Sequence, residues 1–487
     1  MAGLRILLLA AEVAPFAKTG GLADVAAALP RALARAGHDV KLVMPFYRSV
    51  QRGKHEFRAH PQLQGLRLPF GSRDLSCSVV TARLPKSELD VLFLHCPELY
   101  DRSGIYTWDR DEHVRFAFLS RAALEICQWL QWSPDVIHCN DWHTGLTPLY
   151  LKAAYSWDRL FERTRTVLTI HNIGYQGVFS GETVHELGLG VHRHLLHQGD
   201  LAAGKVSYLK TGVIYADALT TVSETYAREI QTNDYGMGLQ DLLRARSDSV
   251  IGIVNGVDYA EWDPSVDTKI PQRFTRDDLS GKRICRERLL ARLNLTPSDT
   301  APVFGIVSRL TPQKGFELLP EVLTKLLEQD VRLAVLGSGE ERYEQYFHWL
   351  HGRYTGRASF WAGYDDELAH WIEAGSDLFL MPSLYEPCGL NQMYSLRYGT
   401  APIVRRTGGL ADTVEPFERT RSDSTGTGFL FDDFDAGALA GAIGRALECW
   451  RDRDAWRRRV HNGMSRDFSW ERQSKLYVEL YARLARR

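Results

Sequence analysis

A chain of 487 residues with 44% hydrophobic and 24% charged side chains is an ordinary globular composition, long enough to bury large cores without staples and, at about 150 residues per domain, to form two or three domains. A formal net charge of −1 excludes a global basic field for nucleic acid or anionic lipid, so neither partner is expected. Seven widely spaced cysteines with no CxxC pair exclude a disulfide framework and fit a reducing compartment, so a cytoplasmic protein is expected.

In chain order, the apolar run Ile6–Ala11 is too short to span a membrane, follows a single Arg5 and lacks a clean cleavage site, which predicts a first β-strand over 5–11 in place of a signal peptide. A helix over 22–36, stopped by Gly37, and a strand over 40–45 follow, the order of a parallel sheet with right-handed crossovers. Further strands are expected at 91–95, 135–140, 166–172, 218–223 and 250–255. The stretch from Asp263 to Lys282, with Pro264, Pro271 and many charges, reads as a linker. A second α/β series is expected at 303–308, 332–337, 358–363, 377–382 and 401–406, and an amphipathic helix from Ser469 to Leu484 closes the chain. The organisation expected is a first lobe over 1–262, a linker and entry helix over 263–300, a second lobe over 301–465 and a closing segment over 466–487.

One hexapeptide occurs twice: residues 19–24 and 407–412 both read TGGLAD, each after a strand and before a helix, with Lys18 and Arg406 just ahead. Paired glycines admit a close backbone approach, and a helix starting there offers N–H groups to phosphate. The bland alternative is a shared strand-to-helix turn. In SRLTPQKG, Arg309 and Lys314 flank a Pro-containing turn at a strand's C-terminal end, where open α/β sheets bind ligands, and both could face one anion; a solvated basic turn is the alternative. GSGEE (337–341) is a further glycine-rich loop after a strand. In LYEPCGLNQ, Glu386 sits at a strand-to-helix junction, where a carboxylate can accept two sugar hydroxyls or simply cap a helix. Cys388 has no positioned base and is not read as a nucleophile. HCNDWHTG places Asp141 and His143 beside Trp142 at one strand end, and TIHNIGYQG places His171 and Asn172 at another. The histidines 185, 192, 194 and 197 lack an acidic or cysteine partner at ligand spacing, and the DxD pairs lie in charged surface stretches, so no metal is expected.

Taken as a set, KTGGLADV, NDWHTGL, TIHNIGYQG, TTVSETYA, GIVNGVD, SRLTPQKG, EPCGLNQMYSLRYGT, TGGLADTV and TGFLF resemble the bacterial glycogen synthases and plant starch synthases along nearly the whole chain. The resemblance implies an α/β fold of two Rossmann-like lobes facing each other across a deep cleft (GT-B type), with the closing helix packed back on the first lobe. It implies ADP-glucose as donor, glycogen or another α-1,4-glucan as acceptor, and no cofactor. Carried over by motif, the catalytic set is Glu386, Lys314, Arg309, His171 and Asp141. The substrate-binding set is Lys18, Gly20, Gly21, Asn255, Thr407, Gly408, Gly409, His143 and Tyr100, with Asp101 and Tyr106 also on the acceptor side. Many related retaining transferases carry a second Glu eight residues after the first; Tyr394 stands there in this chain, and the bacterial glycogen synthase branch also lacks that acid, which disfavours a two-carboxylate mechanism. The absence of an N-terminal extension is expected of a bacterial glycogen enzyme more than of a plastid one. The rival readings are another sugar-nucleotide enzyme of the same architecture and a non-catalytic glucan-binding protein.

Overall fold

The structure, a computed structural model, describes residues 3–50 and 55–486. The chain divides into two compact units, one made of Met1–Val222, Ala227–Gly256 and Trp470–Arg487, the other of Ser223–Tyr226 and Val257–Ser469.

The first unit is built on ten strands, β1 (Arg5–Leu9), β2 (Asp39–Pro45), β3 (Arg58–Ala59), β4 (Leu66–Phe70), β5 (Arg73–Arg83), β6 (Asp90–His95), β7 (Val136–Asn140) and β8 (Arg165–Ile170), then, after a separate β9–β10 hairpin (Val178–Ser180, Lys205–Ser207), β11 (Ala218–Thr221) and β12 (Val250–Gly252). Their order is β12-β11-β8-β7-β1-β2-β6-β5-β3, with β4 paired to β5. From β12 to β6 the pairing is parallel, and these strands are near-continuous apolar runs because helices cover both faces. β1 lies at the middle: the chain winds outward one way through β2 and β6, then returns to β7 and winds the other way. The gap between β1 and β7 is therefore a topological switch point, where loops diverge and leave a crevice at the strands' C-terminal ends.

The antiparallel strands β3, β4 and β5 answer to no expected strand. Their signal is different in kind: from Leu75 to Val80, β5 alternates buried residues with more exposed ones, the period-2 pattern of a half-solvated strand, whereas a continuous apolar run marks only a two-sided strand. The closing helix, Trp470–Ala485, belongs to this unit. Its buried Tyr481 meets the ring of His138 on β7 at 2.6 Å, and His138 is bonded in turn to Thr169 of β8 at 2.6 Å.

The second unit holds a six-stranded parallel sheet of β13 (Val303–Leu310), β14 (Arg332–Gly339), β15 (Ala358–Ala362), β16 (Leu378–Met381), β17 (Ala401–Arg405) and β18 (Phe429–Phe431), ordered β15-β14-β13-β16-β17-β18. Counted from β13, that is third, second, first, fourth, fifth, sixth: the doubly wound order, with its switch point between β13 and β16. One face packs helix Leu319–Leu326 and helix Ala436–Arg451 through Leu323, Leu439 and Ile443; the other packs helix Ser280–Arg292 and helix Asp366–Gly375 through Leu289, Leu368 and Ile372. The stretch from Asp263 to Leu279 has no helix or strand, yet it is tied to this unit: buried Asp267 accepts from His370 Nδ1 at 2.7 Å and from the Tyr398 hydroxyl at 2.5 Å.

Candidate active site

In the second unit, the turn Thr311–Gly315 leaves β13 and the segment Pro382–Glu386 leaves β16, the two sides of the switch point. Gly315 adopts φ +71°, and a Cβ on it would lie 1.9 Å from the Pro382 carbonyl oxygen; only glycine lets these two loops close. Their closure delivers Lys314 Nζ to Glu386 Oε2 at 2.6 Å, and the same oxygen accepts from Ser383 Oγ at 3.0 Å. Glu386 is buried, so its charge is stable only with these donors in place. Arg309 stands exposed at the end of β13, without a side-chain hydrogen bond or ion pair among the described residues. A paired, oriented carboxylate thus sits on the loop after β16, and an uncommitted guanidinium stands at the end of the neighbouring strand β13.

The second TGGLAD segment packs under this pair. Gly408 has φ +44° and its added Cβ would meet the Glu386 carbonyl oxygen at 1.9 Å; Gly409 donates its N–H to that carbonyl at 3.1 Å. These glycines, read in the sequence as approaching a ligand, here approach the backbone that carries Glu386. Gly408→Ala is accordingly expected to destabilise the protein by about 2–4 kcal/mol, from a left-handed φ plus overpacking, and to lower turnover by shifting Glu386. A thermal melt and a rate assay on the purified variant check both; an unchanged melting temperature would contradict the packing.

Asp412 and Asp24 end the two hexapeptides differently. Asp412 accepts from Thr225 N–H at 2.9 Å and Thr225 Oγ1 at 2.5 Å. Asp24 instead pairs with Lys18 Nζ at 2.8 Å, so the cation of the first loop is held over its helix N-terminus. Gly20 and Gly21 open helix Gly21–Arg35, and a Cβ on Gly20 would meet only open space. The backbone there is free to be approached.

At the switch point of the first unit, β7 ends at Asn140 and is followed by Asp141, and its neighbour β8 ends before His171. Asn140 Nδ2 donates to the Leu9 carbonyl at 3.0 Å, which turns its Oδ1 toward His171 Nε2 at 2.8 Å. That oxygen can only accept, so His171 Nε2 carries the proton. Burial pushes the His171 imidazole down to about 3, and the ring is neutral. Asp141 Oδ1 accepts the His171 N–H at 2.7 Å, fixing the orientation of the 171 peptide. Asp141 itself has φ +56°, a conformation that costs of order 1–3 kcal/mol in a non-glycine residue and persists where its surroundings hold it. Its own N–H donates to the Thr169 carbonyl at 2.9 Å.

Burial raises the Asp141 carboxyl to about 7, partly countered by the backbone N–H groups of His171 and Asn172 and reinforced by the charge of Glu12. A folded pKa above the unfolded value means that the folded state binds the extra proton: the stability this provides is full below pH about 4 and is lost as pH rises through 7. The spread corresponds to up to about 4 kcal/mol. Asp141→Asn should therefore raise the melting temperature more at pH 8 than at pH 5, while impairing activity through the 171 peptide. An equal shift at both pH values would contradict the assignment.

His143 is buried, held neutral by burial that pushes it down to about 3, and its ring stacks on Tyr106 at 4.9 Å. Tyr106 in turn donates its hydroxyl to Glu12, a buried acid on the loop after β1 that the motif reading passed over. Its signal was an acid, AAEVAPFA, within an apolar stretch. Tyr100 is fully buried, with its hydroxyl donating to the Arg115 carbonyl at 2.8 Å. Asp101 pairs with Arg48 at the surface. Asn255 is buried, and its amide oxygen has no hydrogen-bond partner among the described residues.

Glu261, Asp366 and His370 bring three potential metal-ligating atoms within 4.8 Å of one another. The Lys269 ammonium stands among them, 2.8 Å from Glu261, 2.5 Å from Asp366 and 3.3 Å from His370, so the cation of this group is the protein's own. Tyr394 stacks parallel on Trp262 at 4.0 Å, a packing role for the position where a second acid is absent.

Two doubly wound sheets, the second wholly parallel and the first parallel from β12 to β6, each with polar residues at a switch point, form the architecture of the GT-B glycosyltransferases. Residues 5–245 match the starch synthase catalytic domain family and residues 291–462 the glycosyl transferases group 1 family. The chain is 44% identical to glycogen synthase 1 of Geobacter metallireducens over 100% of its own length and 97% of the relative's, and 47% identical to the glycogen synthase of Myxococcus xanthus over 98% and 99%. The fold is similar to the catalytic domain of starch synthase IV from Arabidopsis thaliana bound to ADP and acarbose, with a TM-score of 0.92, 34% identity and full coverage of both chains. The sucrose-phosphate synthase of Thermosynechococcus elongatus, at 20% identity and a TM-score of 0.59 over 98% of each chain, shares the fold. The chain belongs to the glycogen and starch synthase family, and it is a glycosyltransferase.

Proposed function

We propose that the protein transfers glucose from ADP-glucose to the non-reducing end of an α-1,4-glucan, with retention of the α configuration, in glycogen synthesis. The observation that carries this reading is the Lys314–Glu386 pair at 2.6 Å at the second unit's switch point, where β13 also ends in Arg309, uncommitted among the described residues. A donor diphosphate needs cations there, and a glucosyl group needs a fixed carboxylate. The Arabidopsis relative's ADP and acarbose support the same assignment of nucleotide and glucan. Among the described residues no helix is long and apolar enough to cross a membrane, which accords with a polymer substrate in solution.

In this reading the bond between the anomeric carbon and the donor phosphate oxygen breaks, and its electron pair leaves with ADP. Arg309 and Lys314 stabilise that developing charge, with the 407–409 backbone supporting the loop beneath. Glu386, already held by Lys314 and Ser383, accepts glucose hydroxyls. The His171 peptide, fixed by Asp141, presents its carbonyl to the electron-poor anomeric carbon. The acceptor hydroxyl attacks from the face the phosphate leaves, and its proton passes to that phosphate, which conserves configuration. Lys18, Gly20, Gly21, His143 and Asn255 complete the substrate contacts.

Product analysis tests the linkage. Labelled glucose incorporated into glycogen should be removed as maltose by an exo-acting α-1,4-glucan hydrolase that works from the non-reducing end. Label that resists such digestion would overturn the acceptor assignment.

A further inference from the structure

Glu12 is 3% exposed, and its carboxylate makes no ion pair among the described residues. Its contacts are all received hydrogen bonds. One oxygen accepts from Thr19 Oγ1 at 2.6 Å and from the Tyr106 hydroxyl; the other accepts from the Thr19 N–H and, at 3.4 Å, from the Gly20 N–H. A buried carboxylate without a cation is costly, and stability alone would be better served by an apolar side chain. What the four donors gain is geometry. They bring the loop that opens helix Gly21–Arg35 and a loop 94 residues away onto one rigid two-oxygen group.

The second loop is braced to hold Tyr106 still. Arg102 bonds Asp109 at 3.1 Å, Asp111 at 2.9 Å and the Glu98 carbonyl at 2.8 Å; Thr107 gives its N–H and hydroxyl to Glu112 at 3.1 and 2.7 Å. The Tyr106 ring is stacked on His143. A displacement of Tyr106 is therefore not absorbed within its own loop and passes to Glu12, and from there to Thr19 and Gly20.

We propose that Glu12 is a positioning residue that couples the glucan-side loop 102–111 to the donor-side loop 18–21, so that the state of one sets the fit of the other. This rests on the functional reading above, in which Lys18, Gly20 and Gly21 contact the substrate, and on the acceptor-side place that the resemblance implies for Tyr106. A hydroxyl on the glucan side then governs donor affinity without touching the donor.

The test is a double-mutant cycle on the full-length protein, with the KM for ADP-glucose read at saturating glycogen. Glu12→Gln leaves one acceptor oxygen for four donors and should raise that KM by about 10-fold, the scale of a lost hydrogen bond to a charged group. Tyr106→Phe should raise the same KM by a similar factor, and the double variant should be no worse than Glu12→Gln, because both act through one link. Thr19→Val should behave like Tyr106→Phe, and Thr19→Ser should restore the wild-type value; these keep the cycle informative if Glu12→Gln does not fold. A Tyr106→Phe variant with an unchanged donor KM, or effects that multiply in the double variant, would overturn the coupling. Wild-type protein that releases no ADP from ADP-glucose and glycogen would instead overturn the functional reading on which the coupling rests.

Discussion

Lys314→Ala is expected to lower kcat by about 10²-fold or more, the scale on which a single preorganised electrostatic stabiliser acts. The reason lies in where its charge sits. Lys314 Nζ is 2.6 Å from Glu386 Oε2 at the end of β13, the place where an open sheet offers its ligand site. Charge that develops on a departing diphosphate appears only in the transition state, so losing the ammonium should reduce kcat more than it raises the donor KM. A structural consequence accompanies it: Glu386 is left buried with Ser383 as its remaining donor, which costs stability on the scale of a few kcal/mol. Rates measured well below the variant's melting temperature separate the two effects. A folded variant with wild-type kcat would remove Lys314 from the reaction.

Glu386→Ala is expected to cost as much as Lys314→Ala or more. The carboxylate is preset by Lys314 and Ser383 and held from behind by Gly408 and Gly409, which meet its backbone carbonyl. Such a group grips sugar hydroxyls without reorganising, and its loss removes orientation as well as binding. Glu386→Gln keeps the shape and one acceptor but places an amide against the Lys314 ammonium, so it should recover a minor part of the activity. Wild-type turnover in the alanine variant, with the fold intact by circular dichroism, would show that the glucosyl group is held elsewhere.

Much of this was legible in the sequence because strand ends and glycine turns leave local marks. The apolar runs that became β1, β2, β7, β8, β13, β14 and β16 are two-sided strands; Asp141 and His171 follow β7 and β8 directly, and Lys314 and Glu386 lie in the turns that leave β13 and β16. What the sequence did not mark is what depends on pairing at a distance. In the β3–β5 extension, β4 and most of β5 alternate in burial and so lack a continuous apolar run. Glu12 belongs to no motif with chemistry of its own, and its meaning comes from Tyr106, far along the chain. Tyr100 and Tyr106 stand six residues apart in one segment, but one hydroxyl is spent on the Arg115 carbonyl in the core and the other reaches Glu12. The repeated TGGLAD segments look interchangeable; the first leaves open space at Gly20, and the second spends its glycines on the backbone of Glu386.

The most direct test of the whole account is the release of ADP on mixing the purified protein with ADP-glucose and glycogen. Glycogen-dependent release, matched one for one by glucose incorporated into the polymer, is expected. No release from ADP-glucose, or release from UDP-glucose alone, would contradict it.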